Sequence, residues 1–172
     1  MDERFELPSE LTIYGVTETR DALLAWSPST FLYGSLAFLI GHLIAIHLYW
    51  RHRRAVTSFS QKAAGMTMLV LIPAIAWSLP ADRAAAPGVL LYSLGLAGMT
   101  AMAWTSSFPR YRVGIGAVMF AVSDLLIFAR IGPMAQSALP GLLIWPLYYF
   151  GQFLICTGVI GELRGRETDV KH

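Results

Sequence analysis

Five stretches of this chain, at roughly 29–50, 63–79, 88–105, 112–130 and 138–161, are nearly uninterrupted apolar sequence. About 20 such residues are needed to cross a bilayer as a helix. Backbone polar groups in hydrocarbon must be satisfied internally, which leaves helices as the natural solution for stretches of this length. The expected fold class is therefore all-α: a polytopic transmembrane helix bundle of about five spans. Each stretch is bounded by residues that end helices or settle among headgroups: Ser27-Pro28, Arg51-His52-Arg53-Arg54, Pro80 and Pro87, Pro109-Arg110, and Gly132-Pro133. Trp50, Trp77, Trp104 and Tyr111 lie near span ends, as interfacial aromatics do. Composition agrees, since only 14% of the 172 residues are charged, against roughly a quarter in soluble domains.

Several function classes drop out at this level. A net charge of only +2 argues against nucleic acid as a partner. The single cysteine, Cys156, excludes an internal disulfide and any cysteine-based metal site. No HExxH, GxSxG or glycine-rich phosphate loop occurs, so metalloprotease and serine-hydrolase readings have no residues to stand on. The opening MDERFELPSE is acidic where a cleavable signal peptide needs a basic region.

Basic residues predict the orientation. Arg51, Arg53, Arg54 and Lys62 fall in one loop, Arg110 and Arg112 in another, and Arg164, Arg166 and Lys171 in the tail; alternation puts all nine on one side. The opposite loops hold only Arg83 and Arg130. The positive-inside rule makes the nine-charge face and the C-terminus cytoplasmic, in a bacterial inner membrane, with residue 28 outside. The domain layout expected is a polar acidic segment over 1–28, the bundle over 29–161 and a polar cytoplasmic tail over 162–172. The acidic segment would then cross the membrane without a preceding helix. Either it is translocated as a short tail or upstream helices are missing, and the second reading is favoured.

Polar residues inside the spans are the candidates for chemistry. Asp124, in GAVMFAVSDLLIFAR, is the only carboxylate within any span. At that depth it costs several kcal/mol unless paired, hydrated or neutralised, and is functional by default. It shares a stripe with Val113, Ala117, Phe120 and Ile127, and Ser123 adjoins it. The bland alternative is a carboxylate that only ties helices together. His42 and His47 lie about 140° apart around their helix, so they form no paired metal site. His42 reads as a bundle histidine and His47 as interfacial. Tyr92, Gly95, Met99 and Met102 form one helical face, either a packing seam or the lining of a lipid-chain pocket. Trp145, Tyr149, Gln152 and Cys156 share a face of the last span, where Pro146 predicts a kink and Cys156 a small core residue. Gln152 with Tyr148 and Tyr149 strengthens the case for a polar pocket shared with Asp124.

Four segments, DALLAW…FLYGSLAFLIGH at 21–42, PGVLLY…M at 87–99, GAVMFAVSD at 116–124 and YYFGQFLI at 148–155, resemble the YhhN-like lysoplasmalogenase family over about residues 21–160. The resemblance implies an integral membrane protein of a family usually built from eight helices with both termini cytoplasmic, here without the first three. Characterised members cleave the vinyl ether bond of lysoplasmalogens, giving a fatty aldehyde and a glycerophospho-base. Motif by motif, the family's site residues match Asp21, His42, Ser123, Asp124, Tyr148, Tyr149 and Gln152. Two positions depart from the pattern, with Arg20 where a glycine is usual and Ala45 where a tyrosine is usual.

Vinyl ether hydrolysis begins with protonation of the β-carbon, and water then attacks the oxocarbenium ion. The expected catalytic pair is Asp124 as the proton donor, protected by its apolar surroundings, and Asp21 as the ionised partner. His42, Tyr92, Ser123, Tyr148, Tyr149 and Gln152 are the expected substrate-binding residues, with no metal and no organic cofactor required. The partners implied are a lysophospholipid substrate and membrane lipids, with self-association as a way to cover an exposed face of the first span. Helix rise places Asp124 roughly 9 Å from the outer end of its helix, and His42 and Gln152 roughly 20 Å from that face. The expectation is thus an elongated pocket rather than one compact site. The competing readings are a non-catalytic lipid-binding or transport module and an inactive truncated family member.

Overall fold

The structure, a computed structural model, describes residues 28–169, with side chains from 34 to 165. Asp21, the rest of the acidic N-terminal segment and the last three residues lie outside the described residues. The chain divides into two compact units, Met1–Phe38 and Leu39–His172. The described part of the first is the opening of helix α1, and everything below concerns the second.

Helix α1 runs from Pro28 to Arg51 and closes on a basic residue, the sign that suits a helix C-terminus. Helix α2, Phe59–Ser78, begins four residues earlier than the apolar pattern predicts. A capping box explains this: Ser58 Oγ accepts from the Gln61 backbone at 3.3 Å, and the Ser58 backbone donates to Gln61 Oε1 at 2.9 Å. Helix α3, Ala86–Thr105, starts with Pro87 in its first turn, where a missing N–H costs nothing. A π-helical turn, Arg110–Gly114, leads into α4, Ile115–Arg130. Helix α5, Leu139–Asp169, continues through Pro146 and extends eight residues past the expected boundary. Its 31 residues measure about 46 Å, more than a hydrocarbon core of ~30 Å, so its polar end projects beyond the membrane.

The core lies where α3 meets α4. Leu96, Ala97, Met99 and Ala103 from α3 pack with Ala117, Phe120 and Ala121 from α4, and Tyr49 from α1 joins them. The stripe predicted on α4 holds from Val113 to Asp124, but Ile127 is exposed and Phe128 is buried in its place. A helix of 3.6 residues per turn rotates past a three-residue step, and i+4 from Asp124 is Phe128. Helix α5 docks on α4 at two facing glycines. A Cβ on Gly116 would stand 2.6 Å from the Gly151 carbonyl oxygen, and one on Gly151 would stand 2.8 Å from that of Gly116. Between helices surrounded by lipid, such backbone approach replaces the hydrophobic drive available in water.

Leu69, Val70, Leu91, Leu94, Leu142 and Phe153 point outward and are exposed. Four helical segments, Phe59–Ser78, Ala86–Thr105, Arg110–Arg130 and Leu139–Gly165, are long and apolar enough to cross a membrane, and the 24-residue α1 is the fifth helix. This is an all-α integral membrane protein.

Candidate functional site

Three helices of the second unit bring polar side chains together inside the bundle. Helix α4 supplies Asp124, which is 5% exposed. Helix α3 supplies Tyr92, whose hydroxyl donates to Asp124 Oδ2 at 2.6 Å. Helix α1 supplies His42, whose ring stands edge-on to Tyr92 with centroids 5.3 Å apart and edge-on to Phe120 at 5.6 Å. The approach of α1 depends on Gly95: a Cβ there would stand 3.9 Å from His42 Cβ and 2.5 Å from the Leu39 side chain. The packing-seam reading of Tyr92, Gly95 and Met99 therefore describes the α1–α3 contact.

Two features separate this cluster from ordinary helix ties. Among the described residues no Lys or Arg pairs with Asp124, so no fixed cation offsets the carboxylate. His42 is 4% exposed, and neither ring nitrogen makes a hydrogen bond among the described residues. A buried polar group without a partner costs about 1–3 kcal/mol, and such violations of packing economy concentrate at functional sites.

The rest of the shell is aromatic. Phe120 lies between His42 and Tyr148, the latter ring 5.5 Å away, and Phe128 packs edge-on to Tyr92 at 5.7 Å. Neither Phe120 nor Phe128 stands out as a site residue in sequence, although Phe120 sits one turn before Asp124 and Phe128 one turn after it. Ser123 is fully buried and donates to the Phe120 carbonyl at 2.7 Å, which engages its proton in its own helix. Asp21 lies outside the described residues.

The remaining candidates are not all drawn in. Tyr148 is half-buried against Phe120, whereas Tyr149 is 65% exposed on the outward face of α5 together with Trp145. Cys156 is also exposed, a correction to its expected place in the core. A shared helical face does not specify which way that face turns, and the contacts of Gly151 with α4 and of Gly158 with the π-helical turn leave this one turned outward. Gln152 is half-buried beside the glycine crossing. The elongated arrangement expected from helix rise is shortened at one point, because His42 and Asp124 both meet Tyr92. Counting from helix ends treats those ends as level and gives side chains no length. Among the described residues, no three His, Cys, Asp or Glu side chains converge as a metal site would require.

A buried carboxylate held by a tyrosine, with no basic partner among the described residues, inside a membrane bundle defines a class: integral membrane proteins with a polar intramembrane site. The YhhN family model matches residues 17–159. The chain belongs to the YhhN family. It is 32% identical over 150 residues to a protein named lysoplasmalogenase from Mycobacterium bovis (strain ATCC BAA-935 / AF2122/97), an alignment covering 83% of this chain and 57% of that one. The lysoplasmalogenase of Mycobacterium tuberculosis (strain CDC 1551 / Oshkosh) gives the same identity and coverage. The chain thus spans a little over half the length of these relatives. No solved structure matches it.

Proposed function

We propose that this chain carries out lysoplasmalogenase chemistry: hydrolysis of a lysoplasmalogen vinyl ether to a fatty aldehyde and a glycerophospho-base. The observation that carries the reading is the Tyr92–Asp124 pair beside a buried His42 whose ring nitrogens have no hydrogen-bond partner among the described residues. In this scheme Asp124 gives its proton to the β-carbon of the vinyl ether and an oxocarbenium ion forms. Water adds to the α-carbon, and the resulting hemiacetal breaks its bond to the glycerol oxygen, releasing aldehyde and alcohol. Tyr92 holds Oδ2 and so fixes the orientation of the other carboxyl oxygen. The faces of Phe120 and Tyr148 favour a cation nearby. His42 is assigned to a polar group of the lysolipid, with Tyr149 and Gln152 toward its headgroup or chain. Asp21 is assigned the part of the ionised carboxylate that stabilises the cation or accepts a proton from water. An apolar groove of about 160 Å³ lined by Met68, Leu71, Ile72, Val122 and Leu125 supports accommodation of an alkyl chain. The nine-charge face is assigned to the cytoplasm and the chain to a bacterial inner membrane.

The test is aldehyde release from lysoplasmalogen by detergent-purified protein. Release that disappears in a folded Asp124→Asn variant supports the reading. Release equal to that variant's counts against it. A second reading, a lipid-binding or transport module, is favoured by the way Tyr92 ties α3 to Asp124 on α4. It predicts lysolipid binding without product, with Asp124→Asn lowering thermal stability instead.

A further inference from the structure

At the basic end of the bundle, the turn after α1 closes against the end of α3. The Ser107 backbone donates to the His52 carbonyl at 2.7 Å, and Arg54 Nε donates to the Ser106 carbonyl at 2.8 Å. Beside these contacts is a cavity of about 290 Å³ lined by Tyr49, Trp50, Arg53, Arg54, Thr57 and Thr105, among others. The Arg53 guanidinium lies over the Trp50 ring, 5.2 Å from its centroid. Neither arginine pairs with a carboxylate among the described residues. The only acid between Arg51 and Arg112 is Asp82, and it sits in the loop at the other end of α2 and α3. Thr57 is half-buried and its hydroxyl makes no hydrogen bond among the described residues.

Two guanidinium groups with unused donors, a free hydroxyl and an aromatic wall suit phosphate oxygens. The surroundings indicate where that phosphate comes from. Val56 is 85% exposed and Phe59 87%. With Trp50 they form an apolar rim at the end of the spans, which suits headgroup depth and serves no purpose for a solute from water. We propose that this cavity binds the phosphate of an anionic phospholipid in the leaflet that meets the basic end, at a site separate from the one around Asp124. Helix α3 separates the two: Tyr92 and Thr105 are thirteen residues apart, ~20 Å of helix. In a lysoplasmalogen only five bonds join phosphorus to the vinyl ether oxygen, ~6 Å when extended. One substrate molecule cannot place its phosphate here and its vinyl ether at Asp124.

Native mass spectrometry of the purified full chain tests this, with phosphatidylglycerol, phosphatidylcholine and inorganic phosphate as separate arms. The expected result is one retained phosphatidylglycerol, bound more tightly than phosphatidylcholine and not displaced by inorganic phosphate. Arg53→Gln with Arg54→Gln should weaken it about tenfold or more, as loss of two charge-assisted contacts does. Arg51→Gln with Lys62→Gln removes equal charge from the same end outside the cavity and should change it by less than about fivefold. Equal weakening by both pairs overturns the site in favour of diffuse surface attraction. Displacement by inorganic phosphate, or equal binding of phosphatidylcholine, overturns the anionic-lipid assignment. The Arg53 guanidinium donates no hydrogen bond among the described residues, so Arg53→Gln alone decides the matter if the double variant does not fold; unchanged binding then overturns the proposal.

Discussion

The cost of burying Asp124 and His42 is where structure and chemistry diverge. If Asp124 is the proton donor, Asp124→Asn keeps the shape and the acceptor for Tyr92 but removes the acid, and turnover should fall about 10²–10⁴-fold with little change in lysolipid binding. The wild-type rate should fall on the alkaline side, because a general acid works only while it holds its proton. Assay of a folded variant across pH checks both; near-normal turnover returns Asp124 to a helix-packing role. His42 gives the complementary case. Replacing an unpartnered buried polar group with an apolar one of similar size is nearly neutral or stabilising. His42→Leu should therefore hold or raise the thermal midpoint while activity drops. Retained activity would leave the histidine without a role in the reaction.

Among the elements, α4 and α5 make the most sequence-sensitive contact. The Gly116 and Gly151 backbones meet with no room for a side chain, and neither can shift without moving its whole helix. Gly116→Val should cost at least about 1–3 kcal/mol, the usual penalty of overpacking, read as a lowered thermal midpoint in detergent. Gly141 has nothing within 4 Å of its would-be Cβ. Gly141→Ala should be neutral or stabilising by up to ~1 kcal/mol, since alanine is the better helix former. Equal effects at the two positions would mean that the crossing does not hold the helices together. The start of α2 teaches a different lesson, because Ser58 and Gln61 were available in sequence as a capping signal while apolar run length pointed to residue 63.

For the molecule as a whole, alternation of spans puts the α1–α2 and α3–α4 connections at one end. The Ser107–His52 bond joins those two connections, and the bond from Ala81 to Ile131 joins the loops at the other end. Cysteines introduced at Lys62 and Ala84, each with Cys156→Ser, should then react with a membrane-impermeant maleimide from opposite sides, Lys62→Cys from the cytoplasmic side. Labelling of both from one side would break the five-span order.

Helix count, the all-α class, membrane residence and the expense of placing Asp124 in a span were legible in sequence because each follows from local cost. Hydrocarbon penalises an open backbone and a bare carboxylate wherever they occur, whatever the neighbours. What tertiary structure alone decided is direction. Tyr148 and Tyr149 are adjacent, yet one packs against Phe120 and the other faces outward. His42 meets Tyr92 because Gly95 lets α1 approach there, and Cys156 is exposed because Gly151 faces α4 and Gly158 the π-helical turn before it. In a span that is apolar all round, periodicity carries little information about which side packs, and the orientation is set by where small residues allow two backbones to touch.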